Sequence, residues 1–121
     1  MEKELSKFEF KLMNILWEKK SAFVNEIIEA LPSPKPANST ISTMMRILVT
    51  KGFADFETCG KSNRYYPIVA KEDYTRNFMR KTQDNFFGGS FKSMMSFFAS
   101  DEKLSEKEID ELIQILNDCK K

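Results

Sequence analysis

Histidine is absent from the 121 residues of this sequence. Histidine supplies the general base in Ser-His and Cys-His nucleophilic sites and is the commonest zinc ligand, so its absence excludes most hydrolase chemistry. No glycine-rich phosphate loop occurs either, because Gly88 and Gly89 lack the preceding strand and the Lys-Ser/Thr pair of such a loop. We therefore expect a protein that is not an enzyme and has no catalytic residues.

Cysteine is scarce. Cys59 and Cys119 lie far apart and form no CxxC pair, so we expect neither a disulfide framework nor a four-ligand zinc site. Both are expected to be reduced thiols. The sequence predicts no bound metal and no cofactor.

Long apolar runs are also missing. No 18 consecutive apolar residues occur, and no apolar stretch follows the first residues, Met-Glu-Lys-Glu-Leu. We expect no signal peptide, no membrane span, no direct membrane binding and a cytoplasmic location. The chain is 41% hydrophobic and 31% charged, with only 4 Gly and 4 Pro, which is typical of a folded, mainly helical protein.

The net charge of +1 is unevenly distributed along the chain. Residues 35–64 contain five basic and two acidic residues, a local charge of +3, whereas residues 100–121 contain seven acidic and four basic residues, a local charge of −3. A basic segment of this kind is compatible with a nucleic-acid surface in the first half of the chain.

Three helices are predicted in the N-terminal half. Ser6 and Glu9 have the spacing of a capping box, which predicts a helix over about 7–19. A second, short helix ends before Pro32, and its apolar residues follow a helical repeat: Val24, Ile27, Ile28 and Leu31. A third helix has candidate caps at Asn38, Ser39 and Thr40, a C-cap at Gly52, and a buried stripe of Ile41, Met44, Met45, Leu48 and Val49.

A β-hairpin is predicted after the third helix. Residues 53–58 and 64–69 alternate as strands do, with a turn at residues 60–63, and Pro67 restricts the second strand to a sheet edge or a strand end. Three helices followed by a hairpin is the order of a winged helix-turn-helix domain. The fold class is therefore mainly α, with a winged-helix DNA-binding domain over residues 1–72.

Residues 73–121 are predicted to form a small helical dimerisation domain with helices over about 73–87, 90–99 and 105–118. The last helix opens with a second capping box, Ser105 and Glu108. So short a segment cannot bury its apolar stripes alone, and we expect a second copy of the chain to cover them. The stripe residues are Phe91, Met94, Met95, Phe98, Ile109, Leu112, Ile113 and Leu116. The alternative is that they fold back onto the N-terminal domain.

The outward face of the third helix contains short hydroxyl side chains and one arginine. Hydroxyls hydrogen-bond phosphates or base edges, and arginine bridges the O6 and N7 atoms of guanine. Lysine and arginine near the helix end and the hairpin tip are candidates for phosphate contacts, although each alone is equally compatible with a solvated charge. The predicted DNA-binding residues are Ser39, Thr40, Ser42, Thr43, Arg46, Lys51, Lys61 and Arg64.

Several short motifs occur in a fixed order along nearly the whole chain. They are Phe8-Glu9, Ile15-Leu16-Trp17-Glu18, Thr40-Ile41-x-Thr43, Arg46-x-Leu48, Lys51-Gly52, Tyr65-x-Pro67, Gly89-Ser90 and Glu108-Ile109-x-Glu111-Leu112. Together they resemble the penicillinase-repressor (BlaI/MecI/CopY) family of winged-helix regulators.

The resemblance implies a homodimeric transcriptional repressor that binds a palindromic operator in double-stranded DNA. The best-known members control β-lactam resistance, and a membrane-bound sensor protease triggers their cleavage at an Asn-Phe bond in the dimerisation domain. The aligned pair here is Phe97-Phe98, which the resemblance implies as the candidate cleavage site, although it departs from the family pattern because the asparagine is missing. The wing also departs from the family pattern, with Lys61 where the family has arginine.

Two other functions fit the same pattern. A winged helix can serve as a protein-interaction module, since the fold does not dictate DNA binding. A ligand-sensing regulator would hold a small molecule among Phe86, Phe87, Met94 and Met95, although core packing is the simpler interpretation of these residues. The aromatic residues Trp17, Phe53, Phe56, Tyr65 and Tyr66 allow stacking on single-stranded bases, but their spacing favours a core.

Overall fold

The computed structural model describes residues 4–120 and divides them into two compact units, the first ending at Phe78 and the second beginning at Met79. The elements, in chain order, are α1 (Lys7–Lys19), β1 (Ala22–Phe23), α2 (Val24–Glu29), α3 (Asn38–Lys51), β2 (Ala54–Cys59), β3 (Ser62–Pro67), α4 (Lys71–Phe87), α5 (Phe91–Asp101) and α6 (Glu106–Asp118). The predicted mainly helical winged-helix fold is confirmed.

The helices of the first unit show the predicted capping box and the predicted repeat of apolar side chains. Ser6 Oγ accepts from the backbone N–H of Glu9, and the Glu9 carboxylate accepts from the N–H of Ser6, so the capping box starts α1 as expected. The apolar faces of α1, α2 and α3 meet in one core. Its completely buried large side chains are Leu12, Met13, Leu16, Ile27, Ile41, Met45 and Leu48.

The start of α3 differs from the prediction. Ala37 is the N-cap and its side chain caps nothing, whereas Asn38, Ser39 and Thr40 already lie in the first turn. Because Asn38 is helical, its side chain faces the next turn, where Oδ1 accepts from the hydroxyl of Ser42. The end of α3 is as predicted: Gly52 has φ +88°, the left-handed conformation that glycine adopts without strain.

The hairpin is tighter than predicted, and the sheet has a third strand. Gly60 and Lys61 alone form the turn, while Ser62 and Asn63 are extended and pair with Cys59 and Thr58. Two-residue hairpin loops favour positive φ, which Gly60 supplies at +64°. The two-residue β1 pairs with β3, so the strand order is β1-β3-β2 and β3 is central. Pro67 ends β3, as expected of a proline in a central strand.

Several aromatic residues of this unit pack inside it, as the core interpretation predicted, but Phe56 is 38% exposed. Phe53 and Tyr65 are buried, and the indole N–H of Trp17 donates to the carbonyl of Val69 at 2.9 Å. Tyr74, at the start of α4, lies within 6.1 Å of the rings of Phe10 and Trp17. Its hydroxyl accepts from the backbone N–H of Leu5 at 3.1 Å, so the beginning of α4 belongs to the first unit.

The second unit contains the rest of α4 with α5 and α6. Gly88 and Gly89, at φ +59° and +80°, end α4 where the sequence predicted a break. Ser90 caps α5, and Ser105 and Glu108 form the predicted capping box of α6. Between residues 4 and 120, no helix has the length and apolar character needed to cross a membrane.

Candidate nucleic-acid interface

The exposed face of α3 is the first component of the site. The seven fully buried side chains of the core include three from α3, so the opposite face of the helix is presented to solvent. Ser39, Thr40, Thr43 and Arg46 are exposed on it, and Ser42 is half-buried. Fourteen residues give the helix a length of about 21 Å, enough to lie along a major groove.

A polar cleft of about 290 Å³ lies between α3 and the hairpin wing. Three predicted site residues line it together: Ser42 and Arg46 from α3, and Lys61 from the wing turn. The fold thus brings together a recognition-helix arginine and a wing lysine that are 15 positions apart in the sequence. Such a cleft suits a nucleic-acid backbone running between a helix in the groove and the wing beside it.

Three asparagines also line this cleft, and sequence reasoning missed them as site residues. Asn25 comes from the start of α2, Asn38 from the start of α3, and Asn63 from β3. Asparagine both donates and accepts, so each can bond phosphate or a base edge. Only the unpredicted pairing of β1 with β3 places residues 23–25 beside the wing, and no local pattern signals it.

Lys51, predicted to contact phosphate, has a partner within the protein. Its Nζ bonds both carboxylate oxygens of Glu9, at 2.7 and 3.0 Å, and its side chain is 27% exposed against 5% for Glu9. Burial raises the pKa of Glu9, but hydrogen bonds from Lys51 and Ser6 together outweigh it, so the net pKa lies below the ordinary value. This pair ties the end of α3 to the start of α1. The charge of Lys51 is thus compensated within the protein, and its contact with phosphate stays a prediction.

Arg64 also has a protein partner. It stands opposite Glu57 in the β2–β3 register, and its guanidinium forms an ion pair with that carboxylate. Both side chains are about half exposed, so the pair is a weak surface interaction that a phosphate can displace. Lys61 is exposed at the turn itself.

Known proteins resemble this chain over most of its length. A family model described as penicillinase repressor matches residues 5–118. The chain belongs to the penicillinase repressor family. The methicillin resistance regulatory protein MecI of Staphylococcus aureus strain N315 is 38% identical over 119 residues, covering 94% of each chain. The penicillinase repressor of Bacillus licheniformis is 32% identical over 122 residues, covering 97% of this chain and 92% of its own.

Solved structures agree with the fold of the first unit. The DNA-binding domain of the repressor BlaI matches with a TM-score of 0.52 and 30% identity, covering 61% of this chain and 94% of that domain. A complex of hsRosR-S4 matches with a TM-score of 0.55 but only 16% identity, so it supports the fold alone. The predicted resemblance to the penicillinase repressor family is confirmed.

Two of the short motifs that resemble the penicillinase-repressor family meet in the structure. Phe8-Glu9 lies in the first turn of α1 and Lys51-Gly52 at the end of α3, 42 positions away, and the two meet through the Glu9–Lys51 ion pair. The motifs therefore mark one contact that fixes the orientation of α3, rather than two separate surface features.

The second unit exposes most of the apolar stripe that was predicted to dimerise. On α6, every large aliphatic side chain is between 43% and 59% exposed. On α5, Phe91, Met95 and Phe98 are also exposed, but Met94 is only 3% exposed. Met94 is therefore buried within a single chain and has little surface left for a partner.

Phe97 and Phe98, the predicted candidate cleavage site, lie inside α5. The Phe97 ring is 5.7 Å from that of Phe87, which packs it against the end of α4. Cys59 is half-buried and Cys119 exposed, and both are free thiols. Among residues 4–120, no group of three or more Cys, Asp or Glu side chains is arranged to hold a metal ion.

Proposed function

We propose that this protein is a dimeric transcriptional repressor that binds a palindromic operator in double-stranded DNA and occludes a promoter, in an operon for β-lactam resistance or a related response. The observation that supports DNA binding best is the cleft where Arg46 of α3 and Lys61 of the wing converge. The same proposal is supported by the similarity of this chain to proteins named as repressors and to the DNA-binding domain of BlaI.

In this proposal α3 lies in the major groove. Arg46 contacts a guanine edge, and Thr43 with the hydroxyls of the first turn contacts phosphates or neighbouring bases. Lys61 and Arg64 hold the backbone from the wing. Asn25, Asn38 and Asn63 complete the cleft and fix the position of the phosphate between helix and wing.

The exposed apolar face of the second unit supports the proposed dimer. Burying an apolar side chain contributes roughly 1.5–3 kcal/mol, so a symmetric pair of α6 helices gains several such contributions. A symmetric dimer places two copies of α3 about 34–36 Å apart, one turn of DNA, and thereby reads a palindrome. Few phosphate contacts per subunit make the second half-site necessary for tight binding.

The helical setting of Phe97 and Phe98 bears on induction by a sensor protease. A protease needs an extended substrate strand, so a bond inside α5 must first unfold locally. Together with the missing asparagine, this leads us to propose that release from the operator does not proceed by cleavage at this bond.

The decisive test is binding of the full-length protein to DNA from its own upstream region, titrated with salt, with its mass measured in parallel. We expect a dimer that footprints a palindrome and whose affinity falls steeply as salt rises. The Thr43→Ala/Arg46→Ala variant should lose more than tenfold in affinity. Lys103→Ala removes an exposed positive charge from the loop before α6 and is the matched control.

Specific binding that survives the double substitution within twofold would refute the assignment of α3. Absence of any DNA affinity at low salt would refute DNA binding and favour a protein-interaction module instead. A monomer at working concentration would refute the dimer.

A further inference from the structure

One large aliphatic side chain interrupts the polar face of α3. Ile47 is 37% exposed, whereas Ile41, Met45 and Leu48 of the same helix are completely buried. It follows Arg46 directly and lies between Thr43 and Thr50 along the exposed surface. Ile47 is not part of the core of the first unit. We therefore look for a contact that it makes from the exposed face of the helix.

Ile47 shares a shallow hollow of about 380 Å³ with Thr43, Arg46, Thr50 and Lys51. Two of these neighbours have their polar groups engaged within the protein: the Thr50 hydroxyl donates to the Arg46 carbonyl at 3.1 Å, and Lys51 bonds Glu9. The wall around Ile47 is therefore mostly aliphatic. At Ile47 the hollow therefore offers contact to a small apolar group, beside the polar groups of Thr43 and Arg46.

We propose that Ile47 reads the C5-methyl group of a thymine in each operator half-site. This inference rests on the proposed DNA binding and adds a specificity-determining contact to it. In the major groove the thymine methyl is the apolar group that distinguishes one base from the others. Ile47 rises only about 1.5 Å along the helix from Arg46, so the thymine lies within one or two base pairs of the base that Arg46 contacts.

The experiment replaces thymines by deoxyuridine, which removes the methyl group and leaves every hydrogen bond of the base in place. Duplexes spanning the footprinted site are made with each symmetry-related pair of thymines replaced in turn. Affinities are measured for the wild-type protein and for Ile47→Ala. Ile68→Ala makes the same change at an exposed isoleucine at the base of the wing and is the matched control.

Burying one methyl group corresponds to about fourfold in affinity, so losing a symmetric pair should weaken wild-type binding about 15-fold at one position of the half-site. Ile47→Ala should reduce that effect to less than twofold, while Ile68→Ala leaves it intact. The exposed position predicts that both variants unfold close to the wild-type temperature.

Two results would overturn the inference while leaving DNA binding in place. Either no thymine pair shows a deoxyuridine effect above twofold, or the effect persists in Ile47→Ala. A protein that binds none of the duplexes would overturn the proposed function and this inference together.

Discussion

Replacing Lys51 with methionine tests whether the Glu9–Lys51 pair positions α3. The substitution keeps most of the side-chain volume but removes the ammonium that bonds both oxygens of Glu9. Glu9 then keeps its hydrogen bonds with Ser6, including the one from the Ser6 N–H at 2.8 Å, while its side chain is only 5% exposed. The variant therefore contains a buried carboxylate without a compensating charge.

The expected loss of stability follows from that burial. Removing one partner of a fully buried ion pair costs about 3–5 kcal/mol, and the partial exposure of Lys51 reduces this to about 2–3 kcal/mol. In a unit of this size each kcal/mol lowers the midpoint of thermal unfolding by about 4–8 °C, so a fall of roughly 10 °C or more is expected. Adding Glu9→Gln should recover part of the loss, because an amide no longer carries a buried charge.

The pH dependence of unfolding shows whether the unpaired Glu9 carboxylate causes the loss of stability in Lys51→Met. In the wild type the pKa of Glu9 lies below its ordinary value, so its contribution to stability is present above the unfolded pKa and is lost as the pH falls through the folded pKa. In Lys51→Met, burial without the ammonium raises that pKa. Protonation then relieves the buried charge, and the difference in stability between variant and wild type should shrink as the pH falls from 7 toward 5.

Unfolding by urea at several pH values measures these differences, with Lys103→Met as the control for loss of an exposed lysine. A stability difference that stays constant between pH 7 and 5 would show that an unpaired carboxylate is not its cause. DNA binding below the unfolding temperature separates the two roles of Lys51. A phosphate contact would lower the salt slope by about one per subunit, and a positioning role would leave the slope unchanged.

Three further predictions test other parts of the structure. Leu112→Asp with Leu116→Asp places charges on the exposed α6 stripe and should convert the dimer to a monomer in sedimentation; an unchanged mass would place the interface elsewhere. Gly52→Ala should cost about 1 kcal/mol in thermal unfolding, from backbone strain alone, because φ is +88° and no atom lies within 4 Å of an added Cβ. Tyr74→Phe removes the hydrogen bond to Leu5 N–H and should cost about 0.5–1.5 kcal/mol; no change would show that the bond contributes nothing.

The helices were predictable because their signals are local. Capping boxes at Ser6 and Ser105 predicted the start of α1 to the residue and that of α6 to within one residue, and the repeat of apolar side chains identified the buried face of α3. Glycines with positive φ marked the ends of α3 and α4. Each of these features depends on residues within one or two turns of each other, so the sequence contains the whole signal.

What the sequence did not reveal depends on contacts between distant residues. A two-residue strand such as β1 has no alternation to recognise, and only its pairing with Tyr65 and Arg64 defines it. The same pairing brings Asn25 into the cleft. Lys51 has the residue type and location expected of a phosphate contact, and only the meeting of α1 with α3 shows that Glu9 holds it.

The local charge of +3 over residues 35–64 therefore overstates the number of basic side chains that are available to contact DNA. Of its five basic residues, Lys35 bonds the carbonyls of Glu29 and Leu31 at the end of α2, Lys51 bonds Glu9, and Arg64 pairs with Glu57. In the part of the chain from residue 4 to 120, Arg46 and Lys61 form no ion pair. Arg46 in the groove and Lys61 on the backbone both replace counterions of the DNA, so two cations per subunit give four per dimer and a salt slope of about −4. The slope becomes about −5 when Arg64 also exchanges Glu57 for phosphate. A slope near −2 in a dimer would mean that only one subunit engages the DNA.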